Sequence, residues 1–279
     1  MGYKTIIVRA DGEPSATERY RAAIALAKDE QAHLVGLGTT LHPRWLRQLQ
    51  IGMPTTDVDS YLDTLEQQSI VALDKLEQQA RRLELDSFER RLVRDDLVSA
   101  MSLHARYADL VILSQPAGEA LLSDDISENA AAIIAVQSGV PVLVMPSQAS
   151  IFKLGDISLV AWDASREARV ALQHALPILS RAKAVHVAVF KEDDRRERFG
   201  PEAGADIALY LARHGIRVEV HQREVKRDIG NALLELALDL HAEMLVMGCY
   251  GHHRYREMIL GGVTRTVLQN ANLPVLIAH

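Results

Sequence analysis

The chain carries the same pattern twice, and that repetition limits its fold more than any single motif. Thr5–Asp11 (TIIVRAD) lies over Ile157–Asp163 (ISLVAWD), and the same offset sets Ala32–Leu37 over Ala184–Val189. Further along, Ala108–Ser114 (ADLVILS) lies over Ala242–Gly248 (AEMLVMG), and Pro141–Met145 (PVLVM) over Pro274–Ala278 (PVLIA). Short continuous apolar runs bounded by Asp, Gly, Asn or Pro suit strands buried on both faces. Helix-periodic stretches separate them, and strands alternating with helices at short spacing imply a parallel sheet with right-handed crossovers. The expectation is an α/β fold of two tandem doubly wound five-stranded parallel-sheet domains of Rossmann type. They occupy residues 1–147 and 155–279, with a linker across Pro146–Gly155 where Pro, Ser, Gln and Ala break the apolar pattern.

In the first half the predicted strands are Thr5–Val8, Leu34–Leu37, Phe88–Val93, Leu110–Leu113 and Val142–Met145. The helices between them are Ala16–Glu30, a long one from Thr56 to Leu83, Leu97–Tyr107 and Ser127–Gln137. Val58, Tyr61, Leu62, Leu65, Ala72, Leu73, Leu76, Ala80 and Leu83 keep a three- and four-residue rhythm along the long helix, which marks a core stripe. Residues 38–55 before it read as an irregular excursion. The second half repeats the scheme, with strands Ser158–Trp162, Val185–Phe190, Val218–His221, Met244–Met247 and Val275–Ala278. Its helices are Arg166–Arg181, Ala203–Arg213, Ile229–His241 and Val263–Asn270. Pairing of the last strand of each half, Val142–Met145 with Val275–Ala278, removes two exposed sheet edges.

The most informative stretch for function is residues 243–279, where glycines lie between two buried strands. Gly248 and Gly251 let the backbone approach a ligand, and Gly261 and Gly262 lead into a helix whose first turn offers free N–H groups and a positive dipole end to an anion. Thr264 adds a hydroxyl. No Lys follows a closing Gly, so the loop is not a Walker loop. The corresponding first-half stretch, QPAGEALLSDDISENAAAII, has one glycine, Gly118, and carries Glu119, Asp124, Asp125 and Glu128. The second-half loop carries His252, His253, Arg254 and Arg256, with Arg265 just beyond. Carboxylates oppose a phosphate while cations favour it, so the anion site is expected in the second half alone.

This segment resembles the universal stress protein family, whose ATP-binding members carry Gly, two residues, Gly, nine residues, then Gly followed by Ser or Thr. Gly248, Gly251 and Gly261 keep that spacing, and Val263 and Thr264 continue it. Gly262 stands where the strict pattern has a hydroxyl residue, so one side-chain contact to phosphate is missing while backbone N–H donation remains. The resemblance implies that Asp163 accepts from the adenine edge and ribose region. It further implies that Ala161, Trp162 and Ala164 flank the base, that Val187 packs on its face, and that Met247, Gly248, Tyr250 and Gly251 line the ribose and phosphates. It also implies a cytoplasmic stress-response protein that binds ATP, ADP or AMP, with or without Mg²⁺, and is commonly a homodimer. Asp163 or Ser165 also suits a helix cap, and Asp11, the first-half counterpart of Asp163, reads as a helix cap.

The remaining composition narrows the choice. A net charge of −6 and a pI near 6.0 argue against a nucleic-acid binder, which needs clustered Lys and Arg. No apolar run approaches the roughly 20 residues of a membrane span, and the opening MGYKTIIVRADGE reads as a strand rather than a leader. The single cysteine, Cys249, excludes an internal disulfide and reads as a small residue tolerated beside a ligand. No metalloprotease, serine-elbow or metal-spaced Cys/His motif is present, and His104, His174, His186 and His241 read as structural or surface residues. Three functions remain: a nucleotide-binding regulatory module, a slow ATPase, and an interaction scaffold that has lost nucleotide binding.

Overall fold

The computed structural model describes residues 2–40, 55–115, 125–147, 154–191, 204–224, 228–250 and 262–279. They form two compact units, Gly2–Ser114 and Gln115–His279.

The first unit contains strands β1 (Thr5–Ala10), β2 (His33–Thr39), β3 (Phe88–Val93) and β4 (Leu110–Ser114) in the order β3-β2-β1-β4. Helices α1 (Ala16–Glu30), α2 (Thr55–Arg82) and α3 (Leu97–Ala105) connect them. Ile6, Ile7 and Val8 are buried to within 1% exposure, and each such side chain contributes about 1.5–3 kcal/mol of hydrophobic stabilisation. Helix α1 turns Ala23, Ile24, Leu26 and Ala27 inward and ends at Gln31, whose left-handed backbone (φ 52°) sends its N–H back to the last carbonyls. Helix α3 begins at Asp96, whose carboxylate accepts from the Ser99 N–H at 3.0 Å.

Along α2 the predicted stripe is buried at Ala72, Leu73, Leu76 and Ala80. Leu83 departs from it: it lies beyond the last helical residue and is 38% exposed. Strand β2 runs beyond the predicted Leu34–Leu37, taking in His33, Gly38 and Thr39. A Cβ on Gly36 would stand 2.5 Å from the Leu76 side chain, so the missing side chain is what lets α2 lie close on the sheet. Most of the predicted excursion before α2 lies outside the described residues.

The second unit contains α4 (Asp125–Ser138), β5 (Val142–Met145), β6 (Ile157–Ala161), α5 (Arg166–Leu179), β7 (Ala184–Lys191), α6 (Ala205–Arg213) and β8 (Val218–Glu224). It continues through α7 (Ile229–Asp239), β9 (Met244–Gly248), α8 (Gly262–Asn270) and β10 (Val275–Ala278). Its strands lie in the order β8-β7-β6-β9-β10-β5, parallel except for the last pair. Strands β5 and β10 pair antiparallel, Val275 with Val144 and Ile277 with Val142, as the repeat leads one to expect. Gln115 anchors the start of the unit: its N–H donates to the Met145 carbonyl at 2.8 Å and its side-chain amide to the Ala271 carbonyl at 2.8 Å.

Edge strands β3 and β8 contain only half-buried and exposed positions and carry Glu and Arg, which blunts their open edges against pairing with another chain. Among the described residues no helix is long and apolar enough to cross a membrane.

Candidate functional site

Strand β6 is flanked on one side by β7 and on the other by β9. The order of connection therefore reverses between β6 and β9, and beyond the carboxyl ends of two such strands a doubly wound sheet has its crevice. Of the residues singled out from sequence, Ala161 ends β6 and Gly248 ends β9. A Cβ on Gly248, the last residue of β9, would come within 2.6 Å of the Ala168 nitrogen and the Glu167 carbonyl carbon. Gly248 thus brings the end of β9 against the first turn of α5, the helix that follows Asp163. Its lack of a side chain serves helix packing as well as any approach by a ligand.

The turn from β6 into α5 has separate jobs for its two polar side chains. Ser165 is the helix cap: its hydroxyl accepts from the Ala168 N–H at 3.1 Å. Asp163 is half-buried and accepts the Ser165 N–H at 3.0 Å through Oδ1, which leaves Oδ2 available. Between them Ala164 is exposed and takes a left-handed backbone (φ 58°), a strained conformation for a residue with a Cβ. Ala161 and Trp162 are half-buried, and the Trp162 N–H donates to the Ala188 carbonyl at 2.9 Å. Val187 is fully buried within the sheet, opposite Val160 on one side and Val220 on the other.

On the β9 side Met247 and Cys249 are buried, and the Cys249 N–H donates to the Ala278 carbonyl at 2.9 Å. Burial, with help from the Glu167 carboxylate, pushes the Cys249 thiol up to about 12. Tyr250 leaves the strand with φ 59°, and its buried hydroxyl has no hydrogen-bond partner among the described residues. Burial raises that phenol to about 12, so it stays a neutral donor. Gly251, Arg254 and Gly261 lie outside the described residues, as do His252, His253 and Arg256. The chain returns at Gly262, the exposed first residue of α8, where a Cβ would meet nothing within 4 Å. Val263 is half-buried and Thr264 buried in the first turn of that helix.

The matching place in the first unit is built differently. Asp11 does not cap α1, as its sequence position suggests; the N-cap residue is Ser15, which makes no side-chain capping bond. Instead Arg19, with 0% exposure, donates to Asp11 Oδ1 at 2.7 Å, to Ser114 Oγ at 2.6 Å and to the Arg9 carbonyl at 3.2 Å. The Ser15 hydroxyl joins this group through Ser114 Oγ at 3.0 Å, and Arg9 approaches Asp11 Oδ2 at 2.9 Å. Burial alone would raise the Asp11 carboxyl, but Arg9 and Arg19 more than offset it and hold it below the usual aspartate value. The repeat sets Arg19 over Ala171, so nothing in the sequence of the second half points to this guanidinium. A charged residue among the inward-facing small and apolar residues of α1 is the signal that could have found it.

Residues 157–279 match the model of the Universal stress protein family. Among solved structures, a universal stress protein from Archaeoglobus fulgidus DSM 4304 superposes with a TM-score of 0.74 at 16% identity, covering 98% of this chain and 95% of that one. A functionally unknown protein from Pseudomonas aeruginosa PAO1 gives 0.63 at 18% identity, with 99% and 92% covered. No curated protein matches the sequence. Residues 157–279 thus carry a domain of the universal stress protein family, and the chain shares the fold of a universal stress protein over nearly its whole length.

Proposed function

We propose that the chain is a regulatory protein that binds an adenine nucleotide in the second unit, in the crevice beyond β6 and β9. The observation that carries this reading is the meeting of two segments at the switch point, with Gly248 pressed on the first turn of α5 beside Asp163. Asp163 Oδ2 accepts from the base or ribose. The orphan N–H groups of the first turn of α8, at Gly262, Val263 and Thr264, and the Gly251–Gly261 loop hold the phosphates. Tyr250 supplies a neutral hydroxyl from a buried position. The oxygen donors present, Asp163 and Thr264, suit a hard cation, and Mg²⁺ bound with the phosphates neutralises their charge.

The first unit supports the same asymmetry. Its switch point is filled by Arg19 and its partners, so a ligand would have to displace a fully paired, buried guanidinium.

The test is mass spectrometry of small molecules released from the purified full chain, joined to calorimetric titration with ATP. The expected outcome is retained adenine nucleotide, and about tenfold to hundredfold weaker ATP binding in Asp163→Ala, the loss of one hydrogen bond to a charged group. Absence of both retained nucleotide and any heat or thermal shift with ATP would replace this reading with that of an interaction scaffold.

A further inference from the structure

A second cluster lies on the opposite side of β7 from the nucleotide crevice, at the edge of the sheet. His186 on β7 stands directly opposite Glu219 on β8, and Ala188 opposite His221. Alternation along the strands puts all four side chains on one face. The small Ala188 leaves room for the His221 ring to lean diagonally toward His186, giving tilted rings with centroids 5.0 Å apart. His186 Nδ1 and His221 Nε2 are then 3.0 Å apart, with Glu219 Oε2 3.6 Å from the first and Glu219 Oε1 3.8 Å from the second.

A direct imidazole–imidazole hydrogen bond would account for the shortest of these distances. It would not account for the carboxylate turned toward the same two nitrogens. One donor atom from each of the three residues lies within 4.8 Å of the other two; atoms bound at about 2.0–2.2 Å to a common ion lie about 3–4 Å from one another, so a small rotation of the exposed carboxylate completes the set. We propose that His186, Glu219 and His221 bind a divalent first-row transition ion of the zinc class.

The donor set argues for that class. Two imidazoles and one carboxylate suit zinc, cobalt or nickel, whereas calcium and magnesium prefer oxygen alone. Three protein ligands leave a coordination position for water or a further group. Access is provided by the edge position: the two histidine side chains are 12% and 19% exposed, and Glu219 is 68% exposed, so an ion enters from solvent through the carboxylate.

Titration of the full chain, free of any affinity tag, with Zn²⁺ against a chromophoric chelator tests this. The expected result is one tightly held equivalent, with binding weakened at least about tenfold in His186→Ala and in His221→Ala. Because Glu219 is exposed, Glu219→Gln leaves folding intact and should also weaken Zn²⁺ binding, even if a histidine variant fails to fold. Replacing Zn²⁺ by Co²⁺ should give visible absorption bands that Glu219→Gln changes. No bound equivalent in the unmodified chain, or an affinity and Co²⁺ spectrum unchanged by Glu219→Gln, overturns the proposal.

Discussion

The backbone nitrogen of Ala168 lies only 2.6 Å from where a Cβ on Gly248 would be, so the end of β9 and the first turn of α5 touch main chain to main chain. Backbone cannot rotate aside as a flexible side chain can. Gly248→Ala should therefore cost about 1–3 kcal/mol, the range for overpacking a tight interior, in denaturant unfolding of the full chain. A variant as stable as the parent would mean that α5 shifts freely, and that the crevice beside Asp163 is not held by this contact.

Gly262 is the opposite case. A Cβ there meets nothing within 4 Å, so Gly262→Ser should change stability by no more than about 0.5 kcal/mol. If phosphate sits at the start of α8, the added hydroxyl should tighten ATP binding about twofold to tenfold, one net hydrogen bond. Equal ATP affinity in the two proteins, measured by calorimetry, would place the phosphates elsewhere.

Arg19 is buried and bonded to Asp11, Ser114 and the Arg9 carbonyl. Truncating it in Arg19→Leu leaves a largely buried Asp11 with Arg9 as its remaining cation, and should destabilise the chain by about 3–5 kcal/mol. Loss of less than about 1 kcal/mol in urea unfolding would show that water reaches Asp11 once the guanidinium is gone.

The same pair sets a pH dependence. The Asp11 carboxyl is held below its ordinary value, so its ionised form stabilises the fold above the unfolded value of about 3.9, and that stabilisation is lost as pH falls through the folded value. Glu13 beside it is raised, first by burial and also by Asp11, and contributes in the reverse sense, its stabilisation fading as pH rises through its folded value. The advantage of the parent over Asp11→Asn should be full near neutrality and shrink below about pH 4. A stability difference that is flat from pH 7 to pH 3 would contradict the ion pair.

Cys249 is buried, and its thiol is pushed up to about 12. Alkylation of the folded chain at pH 8 should be slower by at least about a hundredfold than that of the urea-unfolded chain, because only the thiolate reacts. Comparable rates would reveal frequent opening of the segment after β9.

Much of this architecture is legible in the residues because a duplicated pattern checks itself: each apolar run of one half predicts its counterpart in the other. Local signals also narrowed the α5 cap to Asp163 or Ser165 and marked the part of the α2 stripe that is buried at Ala72, Leu73, Leu76 and Ala80. What escaped was tertiary. Gly38 looks like the end of a strand until Leu73 and Ser69 of α2 are laid on it. Asp11 has the spacing of a cap, but the partner that decides its role is a side chain eight residues further on, in the first turn of α1. His186 and His221 share no motif, since strand pairing rather than spacing brings them together. Glu219 and His221, two apart on one strand, were the only local hint.

The antiparallel ladder between Val142–Val144 and Val275–Ile277 carries a practical lesson for anyone wishing to study the second half alone. A fragment starting after the linker would strip β10 of its partner and bare a row of amides and carbonyls along an otherwise apolar strand. Such a piece should seek a twin through that seam, so its self-association in solution would be a product of the cut.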